Sequence, residues 1–140
     1  MLVRLLYVSR ATDPVGGAME DILAQAREFN PGSGLTGILC FGNGVFLQVI
    51  EGGRQAVNQL YARILRDPRH HEVVLLSYEE ILERRFGCWT MGQVHMNRIN
   101  TTILLKYAEK AELDPYALSG KMSLALLEEL QATASILGRA

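Results

Sequence analysis

The chain has 140 residues, of which 49% are hydrophobic, and a formal net charge of −1. That length suits one domain with its own core, and that hydrophobic share excludes wholesale disorder. No basic surplus points to direct nucleic-acid binding, and no apolar run is long enough to span a membrane.

The N-terminus opens on a strand-like run, LVRLLYVS, so no signal peptide is expected and a cytoplasmic protein is. Cys40 and Cys88 form no CxxC; reduced thiols are expected, with no disulfide between them. Leu2 to Ser9 reads as a buried strand, and Asp13, Pro14 and Gly16-Gly17 as a loop. Met19, Ile22, Leu23 and Ala26 have helical spacing, predicting a first helix that ends near Phe29 at the break Asn30-Pro31-Gly32-Ser33-Gly34. Leu35 to Phe41 is a strand, Gly42-Asn43-Gly44 a tight turn and Val45 to Glu51 the returning strand of a hairpin. Val57, Leu60, Tyr61, Ile64 and Leu65 predict a second amphipathic helix, stopped by Pro68. A strand lies within Glu72 to Leu82 and a fifth over Trp89 to Met96.

The order β-α-β-β-α-β-β predicts an α+β protein with a ferredoxin-like mixed sheet and two helices on one face. In that arrangement the first and third strands are neighbours, which places Tyr7 beside Gln48. Residues 1–97 form the expected core domain. Residues 98–140 form a helical extension: Thr101 to Lys110 carries the stripe Ile103, Leu104 and Tyr107, Asp114-Pro115 suits a helical first turn, and Leu124, Leu127, Leu130, Ala134 and Leu137 make a further stripe. These helices either cover the open sheet face or pair with another chain.

One residue stands out. In VFLQVIEG, Gln48 is an amide among large apolar side chains, with Phe46 and Ile50 on its own face of the strand. Burying an amide without partners costs about 2 kcal/mol. Gln48 therefore has partners, either structural groups or a ligand.

Other residues carry similarly paired readings. Tyr7 is core packing or a redox and hydrogen-bonding group near Gln48. Asn30 is a helix C-cap or an amide pairing with a heterocycle. Arg63 and Asp67, spaced i, i+4, are an exposed ion pair or donors and acceptors to a ligand. His70-His71 reads as a surface turn, with phosphate contact as the functional alternative; no metal is expected, because nothing nearby completes a tetrahedral ligand set. Trp89 and Met91 share a strand face as core residues or as a pair that repacks. No nucleotide-binding glycine motif, catalytic triad or paired catalytic carboxylates occur, so hydrolase and kinase readings have no support.

Together these stretches resemble a known family, the BLUF domains, blue-light sensors that use FAD. The resemblance rests on LLYVSRA at 5–11, Asn30 followed by GLTGIL at 34–39, FLQVIEG at 46–52 and FGCWTMG at 86–92. It implies that Tyr7 is the photoactive tyrosine and Gln48 the switching glutamine. It likewise implies that Asn30, Arg63 and Asp67 meet the flavin's pyrimidine edge, and that Ile22 and Ile64 sandwich its ring. His70 joins the implied cofactor contacts, and Trp89 and Met91 are the implied output pair. Phe29 departs from the family, some members of which carry a polar residue or histidine there. The implied cofactor is FAD, with FMN or riboflavin as alternatives, since such domains grip mainly the ring. Output would pass to a separate, unidentified protein, and the C-terminal helices permit a homodimer. The competing classes are a small flavin reductase and a flavin-free ferredoxin-like regulatory module.

Overall fold

The computed structural model describes residues 1–13, 17–88, 91–96 and 101–133. Strands β1 (Leu2–Ala11), β2 (Thr36–Gly42), β3 (Val45–Gly53), β4 (His70–Ile81) and β5 (Gly92–His95) alternate with helices α1 (Gly17–Ser33) and α2 (Arg54–Arg66), and helices α3 (Thr101–Tyr107) and α4 (Gly120–Ala132) follow. The sheet order is β4-β1-β3-β2-β5. All pairings are antiparallel except β2 with β5, which makes the sheet mixed. This is the ferredoxin-like α+β arrangement read from the sequence.

Alternation along the strands divides the core into two layers. On one face Val3, Leu5, Tyr7 and Ile50 pack with Val57 and Ile64 of α2, while Leu39 and Phe46 pack with Leu23 of α1. On the other face Leu6, Val8, Ile38, Cys40, Leu47 and Val49 meet Leu104 of α3 and Leu126, Leu127 and Leu130 of α4. The C-terminal helices therefore cover the sheet face that the first two leave open. The hairpin turn has positive φ at both Asn43 (53°) and Gly44 (72°), matching the strand twist. The Asn43 side chain also accepts from the Leu113 amide at 2.9 Å, tying the extension to the hairpin.

Several boundaries differ from expectation. Helix α1 does not end near Phe29 but runs through Asn30 to Ser33. The stop acts later, at Gly34 in the left-handed region (φ 71°), with the Leu35 amide donating back to the Asn30 carbonyl at 3.0 Å and the Ser33 hydroxyl to the Phe29 carbonyl at 2.8 Å. Leu65, at the margin of the α2 stripe, is 54% exposed. Strand β4 begins at His70 and β5 only at Gly92. Helix α3 ends at Tyr107, short of Lys110. Pro115 opens a short 3-10 turn, and Ser119 caps α4 by accepting from the Met122 amide at 3.1 Å. Trp89, Ala134 and Leu137 lie outside the described residues.

One buried charge cluster fixes the path between β4 and β5. Glu51, fully buried, accepts from Arg4 Nε at 2.8 Å, from the Phe86 amide at 2.6 Å and from the Arg85 amide at 3.1 Å. Arg4 also reaches Glu79 at 2.8 Å. From above, the Arg85 carbonyl accepts from Gln131 of α4 at 2.9 Å. Replacing Glu51 with Ala strands a buried guanidinium and a buried amide, and should lower stability by about 3 kcal/mol or more. Urea unfolding of Glu51→Ala checks this, and the double variant Arg4→Met/Glu51→Leu should recover much of the loss.

Candidate functional site

A cleft of about 410 Å³ opens between α1 and α2 above the sheet. Ile22, Ala26 and Asn30 line its α1 wall, Leu60, Arg63 and Ile64 its α2 wall, and Gln48 its floor. Asp67, Arg69 and His70, on the segment leading into β4, close one end. The walls exist because α1 joins β1 to β2 across β3 and α2 joins β3 to β4 across β1, so both crossovers lie on one sheet face with their apolar stripes turned inward.

The floor answers what Gln48 bonds to. Tyr7 and Gln48 stand directly opposite in the β1–β3 register. The fully buried Tyr7 hydroxyl donates to Gln48 Oε1. At its other end Gln48 Nε2 donates to the Met91 sulfur at 3.3 Å, a weak acceptor. Burial above all, and then the charge of Asp67, push the Tyr7 phenol far above its ordinary value, so it is neutral at any working pH. Tyr61 of α2 stacks obliquely on it, with ring centres 5.8 Å apart.

His70 is buried rather than in a surface turn, whereas His71 is exposed. The turn expectation fails because β4 starts at His70 and draws its ring under the helices. The ring lies edge-on to Tyr7 at 6.0 Å and 4.9 Å from Phe46, and its Nδ1 shares a 2.8 Å hydrogen bond with Ser9. Burial lowers its pKa to about 4.

The expected Arg63–Asp67 pair does not form. Asp67 caps the C-terminus of α2 instead of continuing it, and turns to Arg69. Arg69 Nε lies 3.0 Å from each carboxylate oxygen and Nη2 2.6 Å from Oδ2, while the Arg69 backbone amide donates to Oδ1 at 2.9 Å. Those bonds hold the Asp67 carboxyl below its usual range. The same guanidinium donates to Gln25 of α1 at 2.9 Å, spanning the cleft. Arg63 is exposed at the rim. Arg69 was missed from sequence; its signal is Asp-Pro-Arg, in which the aspartate side chain accepts from the amide two residues on. Ser9, as partner of His70, had no such signal.

These groups fit a flat heteroaromatic ring. Ile22 and Ile64 offer apolar surface from opposite helices, and the buried Asn30 and Gln48 add to the lining amide groups, a type that carries both donor and acceptor atoms. Among the described residues no cluster of His, Cys, Asp and Glu suits a metal ion. No described helix is long and apolar enough to cross a membrane. Cys40 is buried, Cys88 exposed, and both are free.

Fold and cleft together define a ferredoxin-like domain with a ring-sized site between two helices and a buried tyrosine–glutamine pair beneath it. Residues 2–92 match the model of the BLUF family, described as sensors of blue light using FAD. The chain is 33% identical over 108 residues to the photoactivated adenylate cyclase subunit beta of Euglena gracilis, covering 75% of this chain and 13% of that one. It is 38% identical over 89 residues to the blue light- and temperature-regulated antirepressor BluF of Escherichia coli K12, covering 62% and 22% respectively. It thus spans under a quarter of either relative. Among solved structures, photo-activated BlsA superposes with a TM-score of 0.83 at 32% identity, over 93% of this chain and 94% of the other. The dark-state BLUF protein BlrB gives 0.78 at 34%, over 95% and 96%. The chain belongs to the BLUF family of blue-light sensors.

The His70 environment predicts a pH dependence. A histidine depressed from 6.5 to about 4 in the fold lets the unfolded chain take up its proton first, so the stability it contributes is full above pH 6.5 and lost as pH falls toward 4. Urea midpoints should fall over that range, and His70→Phe should flatten the slope relative to wild type.

Proposed function

We propose that this chain binds FAD non-covalently in the α1–α2 cleft and converts blue light into a changed hydrogen-bond pattern at Gln48. The observation that carries the proposal is the chain Tyr7 hydroxyl, Gln48 amide, Met91 sulfur at the cleft floor. A bound flavin supplies the blue-light absorption and the excited-state electron acceptor. Ile22 and Ile64 position the ring, and Asn30, Asp67, Arg63 and His70 supply polar contacts at its edges, with Arg69 holding Asp67 in place. FMN and riboflavin fit the ring-binding region equally well.

Tyr7 would give up an electron to that acceptor and its phenolic proton along its hydrogen bond to Gln48, and would recover both at the end of the cycle. Gln48 is left reversed or tautomerised. Either change exchanges donor and acceptor ends with almost no change of shape, and in these apolar surroundings each bond counts for more than in water. No substrate is consumed, so the chain acts as a sensor rather than an enzyme.

Reversal has one further consequence. It turns the amide oxygen toward a thioether, which has no proton to give, so the Met91 contact is lost. Met91 directly precedes β5, whose Val94 belongs with Met96 to the layer that includes Leu104, Leu113, Leu126 and Leu127. The signal therefore leaves through Met91 and β5 into the helices of residues 98–140. Those helices serve as the output extension of a flavin-binding domain over residues 1–97. Trp89, the other implied output residue, lies outside the described residues. A separate protein is the proposed receiver of the signal. Free cysteines accord with work in the cytoplasm.

Absorption spectra in darkness and under blue light test this. Wild type should show a flavin band that shifts slightly to the red and returns in darkness. Tyr7→Phe and Gln48→Leu should bind flavin but lose that reversible shift; a retained shift in either would remove its assigned role. Met91→Ala should keep the shift while reducing the light-induced change in hydrogen exchange across α3 and α4. Unchanged exchange would rule out the Met91 route.

A further inference from the structure

We propose that residues 115–120 form a clasp on strand β4, and that this clasp couples the cleft to the C-terminal helices along β4, separately from Met91 and β5. The response to light rests on the flavin reading above; the coupling itself does not.

The clasp sits on two irregularities of one strand. β4 lies at the edge of the sheet, with β1 as its neighbour. Its register against β1 shifts twice. Leu76 is skipped between the pairs Leu6–Ser77 and Tyr7–Leu75, and Ser9 alone stands against Glu72 and Val73 between the pairs Val8–Val74 and Arg10–His71. Each is a bulge, which places an extra residue on β4 and disrupts the ladder locally. Glu72 adopts the left-handed φ of 50°. The extension meets both bulges. At the first, the Tyr116 hydroxyl donates to the Glu72 carbonyl at 2.7 Å. Arg10 lies over the Tyr116 ring, 4.5 Å from its centre, and its Nε donates to Glu72 Oε2 at 2.7 Å. At the second, Gly120 opens α4 so close to β4 that a Cβ there would stand 2.5 Å from the Leu76 carbonyl oxygen. Only glycine fits that approach without displacing one backbone from the other.

The same two bulges adjoin the cleft. Ser9, opposite the first, shares the 2.8 Å hydrogen bond with His70. Tyr7, through its pairing with Leu75, is next to the second. Alternation along β1 turns Tyr7 and Ser9 toward the cleft and Arg10 toward the extension. Two groups of the site and two contacts of the extension therefore meet across the same pieces of backbone. A regular ladder resists displacement, because neighbouring hydrogen bonds must shift together. A bulge on an edge strand yields locally, and the carbonyl on which Tyr116 or Gly120 rests moves with it. The clasp is also weak enough to open. Arg10 is 45% and Glu72 60% exposed, so water screens their ion pair, and the ring contact and the hydroxyl bond at that surface are weak as well. The apolar layer that includes Leu76, Tyr116, Leu126 and Leu127 keeps the helices attached when it does. A static strap would make the same contacts and transmit nothing. Reciprocity separates the two: if the cleft biases the clasp, the clasp must bias binding in the cleft.

Hydrogen exchange of the full chain, read by mass spectrometry, tests the clasp from both sides. Ser9→Ala changes only the cleft side; in darkness it should raise exchange across residues 115–124 about threefold and leave α3 as it was. Tyr116→Phe keeps the ring over Arg10 and removes the hydroxyl. It should raise exchange in the same residues about fivefold and weaken FAD binding by the apoprotein about threefold, although Tyr116 lies outside the cleft. Gly120→Ala improves helix propensity, yet it should raise exchange in the first turn of α4, because the new Cβ pushes that turn off Leu76. Under blue light, Met91→Ala should retain an exchange increase at residues 115–120. Unchanged exchange at 115–124 in Ser9→Ala, or unchanged FAD affinity in Tyr116→Phe, would leave a static strap and overturn the coupling. Loss of the light response at 115–120 in Met91→Ala would assign the whole output to β5 and overturn it too. A chain that binds no flavin would overturn the flavin reading alone, and dark exchange in Ser9→Ala would still decide the coupling.

Discussion

The structure depends on the register of β1 against β3. It sets Tyr7 opposite Gln48 and turns both side chains toward the helices. A slip of one residue would move Tyr7 to the other face and bring Leu6 or Val8 in its place. Register is strongly specified here because both faces of these strands are buried, by α1 and α2 on one side and by α3 and α4 on the other. The C-terminal helices therefore have a structural role beside the proposed output role. By burying Leu6, Val8, Leu47 and Val49 they help fix the pairing on which the site is built.

Strand β3 serves both sides of the sheet. Gln48 faces the cleft, while Glu51, three residues on, faces the opposite layer and anchors the amides of Arg85 and Phe86. The segment so anchored leads to Met91, which returns to touch Gln48 from its far side. One strand thus holds both the amide proposed to switch and the support of the segment proposed to sense it. For the proposed mechanism a fixed support matters, because a small reversal at Gln48 would displace Met91 usefully only if the chain before Met91 did not yield with it.

Much of this was legible in the sequence. Periodicity placed the two main helices, and alternation put Gln48 on an inward face. Element order made β1 and β3 neighbours, so the Tyr7–Gln48 pairing followed from topology. What escaped was set by tertiary contacts. Asn30-Pro31-Gly32 reads as a break, yet the helix continues because its last carbonyls find donors in Ser33 and Leu35 and its left-handed residue is Gly34. The i, i+4 spacing of Arg63 and Asp67 promised a helical pair, but Asp67 leaves the helix and a closer partner, Arg69, takes both its oxygens. His70 looked like a surface residue because its neighbours are polar. Its burial comes from Phe46, Tyr7 and Ser9, all distant in sequence.

The site's electrostatics constrain how it can signal. Tyr7 is a neutral phenol, His70 a neutral imidazole and Gln48 an amide, each kept uncharged in a buried layer. Reversal of the amide changes the direction of hydrogen bonds and leaves the net charge as it was. A change of that kind has a short-range field, so distant groups cannot sense it through space. In the proposed mechanism it would be read by contact, and the side chain touching the amide at its far end is Met91. A thioether suits that position because it accepts weakly and repacks readily. In the proposed route it would hold one orientation of the amide lightly and give way to the other, and the layer containing Val94 and Met96 would carry the difference to the helices.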